Sequence, residues 1–239
     1  MTMEISKNLC KFLLTAVFLF TSMTASAASL EEAKAAYKNK DYEIAVQEFL
    51  PLAEAGDPVA QFYIGLMLDA GDGVPQNYQK ALEWYGKAAA QGYIPAQANL
   101  GVLYESGVDQ NYAMAEKWYL KAAEQGDATS QANLGTIYYI GHGAVKRDHS
   151  KAAFWYAKAA EQGNPVAQNG LSNMYEYGQS VQPDLVKAYK WLTLAAAAGN
   201  ETAEDHKKDL EEKMNPAQME EGKKQAQEWL SARNQKKKN

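Results

Sequence analysis

Side chains that could carry out chemistry are few in this sequence of 239 residues. Histidine is the residue best suited to proton transfer near neutral pH, and the sequence contains three, His142, His149 and His206. His142 lies between two glycines in a predicted loop, His149 near the start of a predicted helix, and His206 near the C-terminus. No metal-binding or catalytic spacing connects them, so we predict loop and surface positions for all three.

Sequence motifs of common enzymes and nucleotide-binding proteins are missing. The sequence contains no S-x-x-K, G-x-S-x-G, H-E-x-x-H, G-x-x-x-x-G-K or G-x-G-x-x-G pattern. Carboxylates are plentiful, but no pair of them stands out from the solvated background. We therefore predict a protein that is not an enzyme and that needs no cofactor and no metal.

The sequence begins with the pattern of a secretory signal peptide. Lysines flank a polar start, an apolar segment follows at residues 12–20, and residues 25–27 are small enough for a signal peptidase. The apolar segment is too short for a membrane span of about 20 residues. We predict a signal peptide at residues 1–27, with an uncleaved anchor as the alternative. The mature protein is then exported without stable insertion in a membrane.

The predicted mature chain has no thiol and a negative net charge. Cys10 is the only cysteine and lies in the segment that cleavage would remove, which excludes disulfides, zinc–thiolate sites and cysteine nucleophiles from the mature chain. Cleavage would also remove two lysines and one glutamate, which changes the formal net charge from −5 to −6. This charge argues against a nucleic-acid partner, which needs a concentrated basic surface.

The elements that must position any site are tandem repeats. Tryptophans recur at spacings of 34, 37 and 36 residues, and a glycine follows each tryptophan after eight residues. Glutamines at the start of each unit recur at spacings of 36, 34 and 37 residues. These markers are Trp84, Trp118, Trp155 and Trp191; Gly92, Gly126, Gly163 and Gly199; and Gln61, Gln97, Gln131 and Gln168. Such self-similarity is typical of solenoid proteins.

Each unit is predicted to form two helices. In the first unit, Asp57-Pro58 is a helix-start signal and Gly71 a stop signal, and the second helix covers about residues 79–90. Small residues on the first helix (Gly65, Gly101 and Gly135) and on the second (Ala81, Ala115, Ala152 and Ala188) predict close approach of the two helices at these positions. The tryptophans and tyrosines are predicted to fill the remaining core.

The two ends of the predicted stack differ from its middle. Residues 28–57 predict a degenerate helix pair, and Pro51 is expected to kink its second helix. Four units follow at residues 58–93, 94–127, 128–164 and 165–200. Residues 201–233 are predicted to form capping helices, with Trp229 and Leu230 packed against the stack. Residues 234–239 are predicted to form a disordered basic tail.

Stretches such as AQANLGVLYESG and SQANLGTIYYIGHG resemble Sel-one-like repeats (SLR), relatives of the tetratricopeptide repeats. The resemblance implies an all-α fold, an α-α superhelix (solenoid) of about four SLR helix pairs whose first helices line a concave groove. Two units depart from the pattern. The second is shortened at residues 107–110, and the fourth has Ser172 in place of the packing glycine, with Gly170 two positions early.

The resemblance places one set of side chains in this groove. Apolar residues are expected at its N-terminal end, and acidic, amide and aromatic residues towards its C-terminal end, which suits an extended peptide. The candidate groove residues are Phe62, Leu66, Asp69, Asn99, Val102, Glu105, Asn133, Thr136, Tyr139, Asn173, Glu176 and Tyr177. Binding by the convex face, by the edges or through self-association is the alternative.

The resemblance also implies a function, because family members are typically adaptors or scaffolds. We predict a scaffold that binds a protein or peptide partner of unknown identity, in the periplasm of a bacterium. One alternative is a secreted factor that engages host proteins, and another is a cell-wall or β-lactam hydrolase. The cysteine-rich exported relatives that hydrolyse β-lactams are a poor analogy, since the predicted mature chain has no cysteine.

Overall fold

The computed structural model describes residues 29–107 and 110–236, which form twelve α-helices and no β-strand. The predicted all-α solenoid is confirmed. The predicted signal peptide lies outside the described residues. The helices are α1 (Leu30–Lys38), α2 (Tyr42–Glu54), α3 (Pro58–Ala70), α4 (Tyr78–Ala90), α5 (Ile94–Ser106), α6 (Tyr112–Glu124), α7 (Ala128–Ile140), α8 (His149–Glu161), α9 (Pro165–Tyr177), α10 (Leu185–Ala197), α11 (Glu201–Glu211) and α12 (Pro216–Lys236).

Local sequence signals set most helix ends. Helix α3 begins at Pro58 behind Asp57, whose carboxylate accepts a hydrogen bond from the Ala60 amide at 2.8 Å. It ends at Gly71, whose φ of 81° lies in the left-handed region that favours glycine. Helix α2 continues through Pro51 to Glu54, and the kink expected at Pro51 stays a prediction.

The helices pack in chain order. Helices α1 to α11 each contact chiefly their neighbours in sequence, whereas α12 packs on α10. The first helices of successive units also touch, α5 with α7 and α7 with α9. Because every unit repeats the same helix hairpin, the first helices α3, α5, α7 and α9 form one layer and run in the same direction.

The recurring glutamines connect each unit to the one before it. The Gln61 side chain donates to the Ala53 carbonyl at 3.1 Å, and Gln97 repeats this bond to Ala89 at 3.2 Å. The side-chain oxygen of Gln61 accepts in turn from Gln91 at 2.9 Å, so a buried amide is satisfied on both sides. In the fourth unit Ala198 stands where the other units have this second glutamine, and the Gln168 oxygen has no partner among the described residues.

The packing glycines face tyrosine rings rather than alanines. A Cβ atom added to Gly65 would lie 2.5 Å from Cδ1 of Tyr85, and one added to Gly101 would lie 2.3 Å from Cδ1 of Tyr119. Gly135 and Tyr156 form the same contact at 2.4 Å. The two helices thus approach closely at these glycines, as predicted, but the side chain nearest to each glycine is a tyrosine ring of the second helix rather than an alanine.

In the fourth unit, both positions of the glycine–tyrosine contact carry other residues. Ser172 replaces the glycine, and the position of the tyrosine is taken by Leu192, which is shorter; both side chains are fully buried. Gly170 also has a packing reason, since a Cβ there would lie 2.6 Å from Cζ of Tyr156. The Tyr156 ring is thus in contact with glycine backbones of two successive units.

The tryptophans divide into two groups. Trp155 and Trp191 are buried, as predicted for core residues. Trp84 and Trp118 are only partly buried, and the ammonium groups of Lys87 and Lys121 lie over their rings at 3.9 and 4.6 Å from the ring centroids. The aliphatic parts of lysine side chains can cover such rings while the charge stays in water.

The C-terminal helices close the stack. Trp229 and Leu230 of α12 pack against the core, and the Trp229 indole donates to Glu161 at 2.8 Å. The Trp229 ring also meets Trp191 edge-on, with 6.1 Å between centroids. Helix α12 continues to Lys236, three residues beyond the predicted boundary at residue 233.

The glycine–tyrosine contact can be tested with a matched pair of substitutions. We expect Gly101→Ala to lower the free energy of unfolding by about 1–3 kcal/mol, because the new methyl group overlaps the Tyr119 ring. Gly86→Ala is the control, since nothing lies within 4 Å of its added Cβ. It should stabilise the protein by about 0.5–1 kcal/mol through helix propensity. Urea denaturation followed by circular dichroism measures both.

A double variant distinguishes overlap with the Tyr119 ring from a general loss of stability caused by any substitution in α5. Gly101→Ala combined with Tyr119→Leu reproduces the combination of small side chain and leucine found in the fourth unit, and it should recover part of the lost stability. Equal stability of the Gly101→Ala and Gly86→Ala variants would show that the contact does not constrain the two helices.

Candidate binding groove

The predicted groove residues lie along one partly open face of the first helices. Phe62, Leu66 and Asp69 are spaced by four and three residues on α3, so they share one helix face. Val102 and Tyr177 are exposed at 45% and 60%, and the other ten candidates are partly buried. We call the face of α3, α5, α7 and α9 that carries these residues the groove.

Tyrosine hydroxyls from the second helices reach this face. Tyr85 donates to Asp69 at 3.4 Å, Tyr119 to Glu105 at 2.6 Å, and Tyr156 to Thr136 at 3.1 Å. Each ring crosses beneath a first helix at its glycine, so only the hydroxyl arrives at the groove. The sequence predicts a core position alone for these tyrosines. Their fixed position one residue after the tryptophans of the first three units is the signal that could have shown their shared role.

Burial keeps these hydroxyls protonated. It raises the pKa of Tyr85 and of Tyr119 well above the usual value for tyrosine. Burial also raises the pKa of Tyr156 to about 12, although the hydrogen bond with Thr136 acts in the opposite direction. Each hydroxyl is therefore a donor to the groove at any physiological pH.

One predicted groove residue connects two successive units. The Asn99 amide donates to the Tyr85 hydroxyl at 3.3 Å. Asn133 has the same position in the third unit, and Gly170, which has no side chain, has it in the fourth. Asn99 thus has part of its hydrogen-bonding capacity committed to the fold.

Carboxylates occupy one position in the last turn of three first helices. They are Asp69, Glu105 and Glu176, with Tyr139 at this position in the third unit. The C-terminus of a helix carries partial negative charge and favours cations. Accordingly α4, α6 and α8 have a lysine in the last turn, whereas α3, α5, α7 and α9 have no basic residue there. We call Asp69, Glu105, Tyr139 and Glu176 the acidic row.

Glu176 is covered by the protein itself. His206 of α11 lies 2.5 Å from one carboxylate oxygen, and Lys213 lies 2.7 Å from the other. The Glu176 side chain is 3% exposed, and that of His206 16%. Glu176 is therefore not open to a partner, and His206 lacks the surface position predicted for it, because α11 docks on the end of the groove.

A cavity lies beside the open part of the acidic row. It has a volume of about 330 Å³ and is lined by Asp69, Tyr78, Val102, Leu103, Ser106 and Gly107. A second cavity of about 580 Å³ shares Tyr78, Leu103 and Gly107 with it. Apolar surface and a carboxylate thus meet where α3 and α5 end and α4 begins.

Two further properties concern the part of the chain that the structure describes. Within residues 29–107 and 110–236, no group of three or more histidine, cysteine, aspartate or glutamate residues is placed to hold a metal ion. None of the helices described there combines the length and the apolar character that crossing a membrane requires.

Comparison with known proteins identifies the repeat. The model of the Sel1 repeat family matches at residues 58–93, 94–127, 128–164 and 165–200. A Sel1 repeat protein from Oxalobacter formigenes is 34% identical, with a TM-score of 0.70 over 76% of this chain and 75% of that one. The protein c5321, a protective antigen of uropathogenic Escherichia coli strains with an SLR fold, is 32% identical, with a TM-score of 0.54. That match covers 87% of this chain and 55% of c5321. The predicted resemblance is confirmed.

The contacts of Glu176 predict a stability that depends on pH. Burial alone would raise its pKa, but hydrogen bonds from Lys213 and His206 lower it below the ordinary value of 4.5. A lowered pKa in the folded state stabilises the fold above the unfolded-state value, and this contribution is lost as the pH falls below about 4.5. We expect the melting temperature of the wild type to fall more between pH 5 and pH 3 than that of Glu176→Gln.

Thermal denaturation at a series of pH values measures this difference. Asp205→Asn is the control, because Asp205 is 83% exposed and, among the described residues, pairs only with Lys208 on the same helix. It should follow the wild-type profile. Parallel profiles for the wild type and Glu176→Gln would contradict the assignment.

Proposed function

The chain belongs to the Sel1 repeat family, whose members generally act as scaffolds for protein–protein interactions, and we propose that it binds a segment of a partner protein in the groove. The observation that carries this proposal is the open face of α3, α5 and α7, where apolar side chains, carboxylates and a cavity adjoin. Peptide-binding grooves combine these features, since apolar pockets supply affinity and polar groups fix the orientation.

The open groove is shorter than the row of repeats. Phe62, Leu66 and Val102 provide its apolar part, and Asp69, Glu105 and Thr136 provide hydrogen-bond acceptors already oriented by tyrosine hydroxyls. At α9 the groove ends, because α11 covers Glu176. A partner segment therefore binds across α3, α5 and α7 rather than along all four units.

Proteins of this family are typically non-catalytic scaffolds, and we propose that this chain has no catalytic activity either. Asp69 and Glu105 each accept a hydrogen bond from a tyrosine that stays protonated. This arrangement fixes the carboxylates as recognition groups. Nothing in the groove favours the hydrolase alternative over binding.

We further propose that the protein is exported and acts in the periplasm. Residues 1–27 have the order of a cleaved signal peptide, with a short apolar segment before small residues. Release to the outside is the second candidate, favoured by the likeness to c5321, which is a protective antigen of uropathogenic strains.

Photo-crosslinking tests the groove as the binding surface. Val102 of α5 and Phe154 of α8 are both exposed apolar residues, at 45% and 52%, on a first and a second helix respectively. With p-benzoylphenylalanine at position 102, we expect a crosslinked partner in producing cells, and with the same residue at position 154 we expect none. Mass spectrometry then identifies the partner. The same adduct from both positions, or an adduct at position 154 alone, would contradict the proposal.

Fractionation tests the location. We expect the intact mass of the purified protein to correspond to a chain that begins at Ala28, and the protein to be released with the periplasmic fraction. A cytoplasmic enzyme serves as the control for lysis. Recovery mainly from the culture medium would support the second candidate, and an uncut chain in the cytoplasm would refute export.

A further inference from the structure

We infer that the segment bound in the groove is basic, with lysine or arginine side chains next to apolar ones. This inference deepens the proposed function and depends on it. It concerns the open carboxylates of the acidic row, Asp69 and Glu105, together with the cavity that Asp69 lines.

The distribution of charge carries the first step. The four first helices contain no lysine or arginine, whereas α4, α6, α8 and α10 each contain at least one lysine. Because the first helices run in the same direction, their negative C-terminal ends lie along the same edge of the groove, next to Asp69 and Glu105. Negative side chains at these ends are unfavourable for the isolated helices, and a cation from outside relieves this repulsion.

The protein itself shows what an acidic-row carboxylate binds. Glu176 has the same position in its unit as Asp69 and Glu105, and it holds Lys213 at 2.7 Å and His206 at 2.5 Å. His206 lies on α11 and Lys213 directly after the end of that helix, so both come from the C-terminal cap. Among the described residues, no basic side chain pairs with Asp69 or Glu105 in the same way.

Both open carboxylates can accept a cation without losing their present contacts. Each receives one tyrosine hydroxyl, and a carboxylate offers about four lone-pair positions. Burial raises the pKa of Asp69 above its ordinary value, because water is partly withdrawn from the charged form. A bound cation stabilises that charged form.

The cavity explains why apolar residues accompany the cation. Val102, Leu103 and Tyr78 line it together with Asp69. An apolar side chain of the segment enters this space while its basic neighbour reaches the carboxylate. Such a pair of contacts gives both affinity and a defined direction of the bound segment.

Three labelled peptides of about 12 residues test the inference, because this length in extended form spans about 40 Å. The first has a lysine at about every third position with leucines between them, which matches the spacing of about 10 Å between packed helices. The second has glutamine and the third glutamate in place of lysine. Fluorescence anisotropy with the full mature chain measures their affinities.

We expect the lysine peptide to bind the wild type about five- to tenfold more tightly than the glutamine peptide, with a difference that shrinks as salt is added. The Asp69→Asn/Glu105→Gln variant should reduce the preference to about twofold, since both new amides still accept the tyrosine hydroxyls. Glu83→Gln/Glu124→Gln is the matched control. It changes the net charge equally, at exposed positions on α4 and α6, and should behave as the wild type.

Three other outcomes would contradict the inference or the proposed function. If the glutamine peptide binds as tightly as the lysine peptide while the crosslink at position 102 forms, the basic character is refuted and the proposed function stands. If no peptide binds and no crosslink forms, the proposed function itself fails. A concentration-dependent dimer in sedimentation velocity, dissociated by Asp69→Asn/Glu105→Gln, would show that a second copy fills the groove and would overturn the inference.

Discussion

The contact between a glycine backbone and a tyrosine ring is the constraint on which this structure depends. At Gly65, Gly101 and Gly135, even one methyl group would overlap the ring of the second helix. The two helices of a unit can therefore approach until an aromatic ring contacts the backbone, which buries a large apolar surface in a small contact. The same approach delivers the tyrosine hydroxyl to the opposite side of the first helix. One interaction thus both closes the helix pair and supplies a polar atom to the groove.

Changes in this contact occur together along the chain. Where Ser172 replaces the glycine, Leu192 replaces the tyrosine, so the added side-chain atoms are matched by a shorter partner. In the third unit Tyr139 replaces the carboxylate, and the Tyr156 hydroxyl bonds to Thr136 of the same unit. Because its second helix carries Leu192, the fourth unit has no tyrosine hydroxyl at the equivalent position. The apolar packing contact and the polar contact of the tyrosine hydroxyl therefore change together from one unit to the next.

Much of this architecture follows from residue spacing, and the parts that do not are tertiary in origin. The repeat and the helix pairs could be predicted because glycine, proline and capping residues act locally, as at Asp57-Pro58 and Gly71. The contacts that cover Glu176 could not be predicted. They depend on the direction that the chain takes at Gly199, which brings Lys213 to Glu176, 37 positions earlier in the sequence. The partial exposure of Trp84 and Trp118 could not be predicted either, because the spacing of a recurring aromatic residue does not show on which side of the helix pair it lies.

The C-terminal cap has a consequence for binding as well as for stability. A solenoid must end in a surface that does not expose its core, and α11 and α12 achieve this through Leu210, Met214 and Trp229. The cap also neutralises the last carboxylate of the acidic row, which would otherwise add negative charge to the end of α9. Since the first helices are alike in direction and in lack of basic residues, the difference between a covered and an open carboxylate comes from the cap alone. The length of the proposed binding groove is therefore set where the repeats stop, and the contacts inside the cap show how a carboxylate of the acidic row binds basic side chains.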